Sequence, residues 1–156
     1  MKTLKPQIII EIGTYQGLSA LSMKKFLKRK AKIYTFDLIK WNNIENTCLL
    51  EEDFKDNRLI KLISDLSNYD ELKKHEDLLT NADLIFIDAE KDGIMEQNFI
   101  NNFSKLKFKS NPLFIFDDIR LWNMISIWHN IKMPKLDLTS FGHFSGTGLV
   151  LWETAP

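Results

Sequence analysis

Six carboxylates stand at the ends of short apolar runs in this chain: Glu11, Asp37, Asp65, Asp88 and the pair Asp117-Asp118. Glu11 closes the run QIII and is followed by two glycines, Gly13 and Gly17, that bracket a turn. Such a turn leaves backbone N–H groups at a helix N-terminus, with no side chain at the glycines to keep a ligand away. It is a place to bind a cofactor, with Glu11 accepting from a ligand's hydroxyl or ammonium groups; the alternative is an ordinary tight strand–helix turn. Asp37 lies 20 residues after Gly17, at the end of KIYTFD. An acid there suits a ribose, since a carboxylate can accept from both hydroxyls; the other use is a helix cap or loop aspartate. Ser64-Asp65 follows RLIKLI at the same level of the chain. The pair either reaches an adenine edge or leaves Ser64 or Ser67 to cap the helix that follows.

These acids need elements to carry them. Residues 7–12 read as a strand buried on both faces, as in a parallel sheet. From Leu18 the period becomes helical through Leu21, Phe26 and Leu27. Strands are expected at 32–37, 58–63, 83–88 and 112–118, each an apolar or β-branched run. Residues 42–54 are polar and irregular, with Leu49, Leu50 and Phe54 as anchors of a helix. Further helices are expected at 68–79, 94–106 and 119–130, the last carrying Leu121, Met124, Ile125, Trp128 and Ile131 as a core stripe. Strands 135–140 and 147–152 are joined by FGHFSG, too short for a crossover helix, so they should be antiparallel neighbours. Strand and helix alternate five times and a hairpin closes the chain.

Composition narrows the partners. Lys plus Arg and Asp plus Glu both number 21, so the formal net charge is zero. That balance argues against nucleic acid as a partner. The basic cluster at 24–32 reads as the solvated end of the first helix, where cations complement the dipole. Cys48 is the only cysteine, so no internal disulfide forms, which fits a reducing compartment. The apolar run before Glu11 is too short for a signal peptide or a membrane span. The expectation is a soluble cytoplasmic protein, one domain over 1–156, with no membrane partner.

The arrangement resembles the class I S-adenosylmethionine-dependent methyltransferases. The resemblance is carried by Glu11-Ile12-Gly13-Thr14-Tyr15-Gln16-Gly17, Asp37, residues 83–88 and the terminal hairpin. It implies an α/β, Rossmann-like three-layer sandwich: a seven-stranded, mostly parallel sheet of order 3-2-1-4-5-7-6 with strand 7 antiparallel. It also implies S-adenosylmethionine as cofactor, held by Glu11, Gly13, Thr14, Tyr15, Gly17, Asp37, Leu38, Ser64, Asp65 and Asp88. The G-x-x-x-G spacing differs from the G-x-G-x-x-G of dinucleotide enzymes, which argues against a nicotinamide-dependent oxidoreductase.

A narrower likeness is to the cation-dependent O-methyltransferases that act on catechols and caffeoyl-type phenols. There an aspartate ends strand 4, a lysine three residues later is the proposed base, and an Asp-Asn pair ends strand 5. Asp88, Lys91 and Asp117-Asp118 match these positions, except that Asp118 replaces asparagine. The resemblance makes Asp88, Asp117 and Asp118 a metal site for Mg²⁺, Mn²⁺ or Ca²⁺, in keeping with oxygen-only ligands. Asp88 and Lys91 become catalytic candidates. The competing use of Asp117 and Asp118 is to cap the helix 119–130. His143, between Phe141 and Phe144 in the hairpin loop, would contact an acceptor or carry its proton. His129 reads as a helix-end cation, and Trp41 and Trp122 either wall the pocket or pack in the core. Relatives carry helices before the first strand that cap the substrate, whereas only residues 1–6 precede it here. The cap is then absent or supplied by another chain, as in a homodimer that shares it. The expected activity is O-methylation of a small hydroxylated acceptor, a phenol or a sugar. The alternative is a binding or scaffold module that kept the fold without the catalysis.

Overall fold

The computed structural model describes residues 5–142 and 144–153. Its centre is a seven-stranded sheet in which β1 (Ile8–Ile12) is flanked by β2 (Lys32–Asp37) and β4 (Leu84–Ile87), all parallel. β3 (Leu59–Ile63) pairs with β2, and β5 (Leu113–Asp117) with β4, again parallel. β7 (Thr147–Leu151) runs antiparallel to β5, and β6 (Lys135–Asp137) antiparallel to β7, giving the order 3-2-1-4-5-7-6. The fold is the expected Rossmann-like one, with the hairpin at its edge. The register also sets the two faces. Ile10, Tyr34, Ile85, Phe114 and Val150 lie in one row, and Ile9, Ile33, Leu84, Leu113 and Leu151 in the next.

The first row faces α2 (Tyr69–Lys73), α3 (Glu76–Thr80), α4 (Met95–Phe103) and α5 (Met124–Asn130). Its core is aromatic: Phe114 stacks on Trp152 at 4.2 Å and takes Phe103 edge-on at 5.3 Å. Such pairs add to the burial of the rings themselves. The second row is covered only in part. α1 (Leu18–Phe26) and two 3-10 turns, Trp41–Asn43 and Glu51–Phe54, close Ile9, Ala20, Ile33, Leu49 and Leu59 over β1, β2 and β3. Among the described residues nothing comparable packs over β4, β5, β7 and β6. Leu84, Phe86 and Ile115 line an apolar hollow of about 500 Å³ beside Pro6, Met23 and Phe26, and Phe26 is 84% exposed. Leu136 and Leu151 are also exposed on this side.

Several helices differ from the sequence expectation. The span 68–79 breaks into α2 and α3 at Lys74 and His75, where the His75 ring sits edge-on against Phe36 at 5.0 Å. Asn68 caps α2, accepting from the amides of Asp70 and Glu71, so neither Ser64 nor Ser67 is the cap. The span 119–130 is helical only from Met124. Asp118 and Trp122 have φ of 58° and 38°, which a helix cannot contain. The amides of Ile119 and Arg120 donate instead to the carbonyls of Gly146 and Ser145 in the hairpin. Ile125, assigned to the core stripe, is exposed. The helix anchored by Leu49, Leu50 and Phe54 is replaced by the two 3-10 turns, with Leu49 buried and Leu50 exposed.

Candidate active site

The C-terminal ends of β1 to β4 open on a cleft of about 460 Å³, a volume suited to a small ligand. It lies where the strand order reverses, between β1 and its two neighbours, as ligand sites in open α/β sheets do. Gly13, Tyr15, Asp37, Leu38, Ser64, Asp65, Asp88 and Lys91 all line it. Gly13 has φ 97°, and a Cβ there would lie 1.9 Å from the Asp88 carbonyl oxygen. The turn after β1 therefore rests directly on the end of β4, and only glycine permits it.

Asp37 is held from several sides. Its Oδ1 accepts from the amides of Leu38 at 2.7 Å and Ile39 at 3.2 Å, and its Oδ2 from the Tyr15 amide at 2.9 Å. The Lys61 ammonium stands 3.6 Å from Oδ2. Burial opposes ionisation of Asp37, but these amides and Lys61 outweigh it and hold the carboxyl below its ordinary range. A carboxylate offers about four acceptor positions, so the three amides leave room for one further close donor from the cleft.

Glu11 is placed differently. It is fully buried, aligned with Thr35 of β2, and faces α1 beneath the cleft. Its oxygens accept from Ser19 Oγ and Thr35 Oγ1, both at 2.5 Å. Burial raises its pKa to about 7, against the lowering effect of those two hydroxyls. Thr14 is likewise buried, and Gly17, with φ 85°, is covered by Leu49. These three support the turn from below while Gly13 and Tyr15 form its open side.

Ser64 donates to Glu71 at 3.4 Å, and Asp65 Oδ1 accepts from the amide and hydroxyl of Ser67 at 2.9 and 2.6 Å. Both lie on the cleft wall.

At the β4 and β5 ends the structure gathers Asp88, Asp117 and Asp118, with one carboxylate oxygen of each within 4.8 Å of the others. The left-handed backbone at Asp118, tolerable for an aspartate, is the local reason its side chain joins the cluster. Neither Asp117 nor Asp118 caps α5, which begins six residues past Asp118. Three carboxylate oxygens with no nitrogen or sulfur donor suit a hard divalent cation. Lys91 already brings one positive charge into the cluster. Its Nζ donates to Asp88 Oδ1 at 2.9 Å and the Ala89 carbonyl at 2.8 Å, and lies 3.7 Å from Asp118 Oδ2.

The loop bearing Lys91 is clamped by residues the sequence reading did not single out. Glu96 Oε2 accepts from the Gly93 amide at 3.0 Å, and burial raises its pKa. Asn123 donates to the Asp92 carbonyl at 2.7 Å. Lys61 is a third omission; its one signal was a charge in the middle of LIKLI. His143 lies outside the described residues. Its neighbours Phe141 and Phe144 are exposed and do not line the cleft. Trp122 is 73% exposed, whereas Trp41 packs on Phe54 at 5.5 Å and belongs to the core side. Among the described residues no helix is long and apolar enough to cross a membrane.

A family model described as O-methyltransferase matches residues 1–137. The chain belongs to the O-methyltransferase family. A Pinus taeda caffeoyl-CoA O-methyltransferase is 28% identical over 132 residues, which is 79% of this chain and 46% of the relative. The chain thus spans about half the length of that curated relative. Solved structures of low identity share the fold. The SAH-bound Podospora anserina methyltransferase PaMTH1 is 20% identical with a TM-score of 0.63, over 96% of this chain and 73% of that one. The MycE methyltransferase of mycinamycin biosynthesis, solved with Mg and SAH, is 15% identical with a TM-score of 0.52, over 72% of this chain and 30% of that one.

Proposed function

We propose that this O-methyltransferase-family chain transfers a methyl group from S-adenosylmethionine to a hydroxyl of a small acceptor, a phenol or a sugar. One observation carries the reading: the cleft lined by Gly13 and Asp37 ends at Asp88 and Lys91, in a cluster completed by Asp117 and Asp118. The cofactor, when bound, supplies a methyl already activated on a sulfonium. What is left to the protein is positioning and proton removal. Gly13 lets the ligand approach the backbone, Asp37 accepts from the ribose, and Ser64 and Asp65 face the base. Tyr15, on the cleft lining and exposed, offers a ring face against which a ligand ring can lie. Lys91, which lines the same cleft, is the residue that would take the acceptor's hydroxyl proton, acting as the neutral amine after its own ammonium proton had been lost to solvent.

Asp88, Asp117 and Asp118 are the residues that would hold a divalent cation, and their all-oxygen set fits Mg²⁺, Mn²⁺ or Ca²⁺. The chemistry such an ion supplies when bound is a lower pKa for the acceptor hydroxyl. The names of relatives support both parts of the reading: caffeoyl-CoA O-methylation for the pine protein, and Mg with SAH for MycE. The test is calorimetric titration of S-adenosylhomocysteine with Mg²⁺ and again with EDTA, followed by methyl transfer to catechols, caffeoyl esters and sugars. Binding followed by metal-stimulated turnover is expected; no heat of binding at millimolar protein would end the proposal.

A second reading rests on the Lys91 ammonium, which already pairs with Asp88 and Asp118, two of the three acids. A non-catalytic methyltransferase-fold module would bind S-adenosylhomocysteine yet turn over no acceptor in the panel, with or without metal.

A further inference from the structure

A continuous line of buried polar side chains runs beneath the cofactor turn, starting at Lys61. The Lys61 side chain is 6% exposed; its Nζ donates to Thr14 Oγ1 at 2.6 Å and lies 3.6 Å from Asp37 Oδ2. Thr14 Oγ1 meets Thr35 Oγ1 at 2.5 Å, and Thr35 donates to Glu11 Oε2. Because the Thr35 proton goes to Glu11, the proton between the threonines must come from Thr14. The Thr14 oxygen is thereby left to accept from Lys61. With Glu11 ionised, the donors run from the Lys61 ammonium through Thr14 and Thr35 to its carboxylate, and Thr14 Oγ1 also lies 3.3 Å from the Phe36 carbonyl oxygen.

Such a line is not what stability alone selects. Lys61 interrupts LIKLI, and burial drives its pKa down against the pull of Asp37 and Glu11. An aliphatic residue would fill the same place on β3 without a desolvation cost. What the lysine contributes instead is geometric. Thr14 sits in the turn between two left-handed glycines, and Asp37 ends β2. These are separate segments of the cleft wall, and Lys61 reaches both from a third strand while staying off the cleft lining itself.

We infer that Lys61 is a positioning residue for the cofactor: from β3 it fixes the glycine turn through Thr14 and the ribose carboxylate through Asp37. The inference rests on the S-adenosylmethionine reading of the cleft. It adds a residue in neither the glycine turn nor the acid cluster, and it assigns Lys61 to cofactor affinity rather than to the acceptor.

A double-mutant cycle tests it. S-adenosylhomocysteine is titrated calorimetrically into the 156-residue chain as wild type, Lys61→Met, Asp37→Asn and the double variant. Lys61→Met should weaken binding about tenfold or more, the scale of a lost charged hydrogen bond. The double variant should lose no more than about threefold beyond the weaker single variant, because both substitutions disable one unit. Wild-type affinity in Lys61→Met, or losses that simply multiply, would overturn the inference. If Lys61→Met does not fold, the cycle is run in a Glu11→Gln background, which removes the charge from both ends of the line. A cofactor-free measurement separates the inference from the reading beneath it. The carboxyl carbon of Asp37 is titrated by NMR in wild type and Lys61→Met. An upward shift of its midpoint in the variant is expected, since Lys61 holds that carboxyl down. An unmoved midpoint would sink the role of Lys61 even if the cofactor binds. A wild type that is folded but does not bind S-adenosylhomocysteine would instead sink the cofactor reading.

Discussion

Asp117 and Glu11 show how much one side chain's surroundings decide. Asp117 belongs to the acid cluster but not to the cleft lining, so the two ligand functions separate there. Asp117→Ala should weaken Mn²⁺ binding about tenfold to a hundredfold, while S-adenosylhomocysteine affinity measured in EDTA stays within about threefold. Calorimetry with each ligand checks both halves. Glu11 gives a pH signature. Its pKa is raised from 4.5 to about 7 by burial, so the folded state holds its proton more tightly than the unfolded chain does. The associated stability is fully present below about pH 4.5 and is lost as pH rises through about 7. Urea unfolding at pH 5 and pH 8 should show this fall, at most about 3 kcal/mol, and Glu11→Gln should remove it. The place of Asp37 on the cleft wall was legible in the sequence, because an acid ends the second strand one unit past a glycine turn. The facing of Glu11 was not. At a strand end the side chain can turn to the ligand or to the helix, and the choice depends on Thr35 and Ser19, which the sequence does not place beside it.

Strands were easier to read than helices for a physical reason. An apolar run bounded by acids and glycines has little choice once a sheet forms, and β2 begins and ends where its residues indicate. A helical stripe only says that one face is buried; it does not say that the turn is unbroken. The 68–79 stripe survives a break because Leu72 and Leu79 are both fully buried from separate helices, while His75 turns onto Phe36 between them. The 119–130 stripe loses its first turn to the hairpin, whose carbonyls take the amides of Ile119 and Arg120. A consequence for α2 can be measured. At only five residues it depends on its cap, and Asn68→Ala should cost about 1 kcal/mol in equilibrium denaturation. Ser67→Ala should leave the cap intact. Equal losses in the two variants would mean that the amides of Asp70 and Glu71 do not depend on Asn68.

At the scale of the molecule, the order 3-2-1-4-5-7-6 brings four strand ends to one cleft and the ends of β4 and β5 to one acid cluster. That gathering was legible through the family resemblance, because strand order is not encoded in any local run. The uneven cover of the sheet was not legible. Leu84, Phe86 and Ile115 look in the sequence like any core residues, and nothing local shows that their side of the sheet is left open. The half-face left open among the described residues has a calorimetric consequence. Apolar surface that stays wet in the folded state is not newly wetted on unfolding, so it adds nothing to the heat capacity of unfolding. A fully covered domain of this length should show a change of about 2 kcal/mol/K. Scanning calorimetry of this chain should give a smaller one, with a correspondingly shallow dependence on urea. A segment or partner that closes the hollow beside Phe26 would raise both values together.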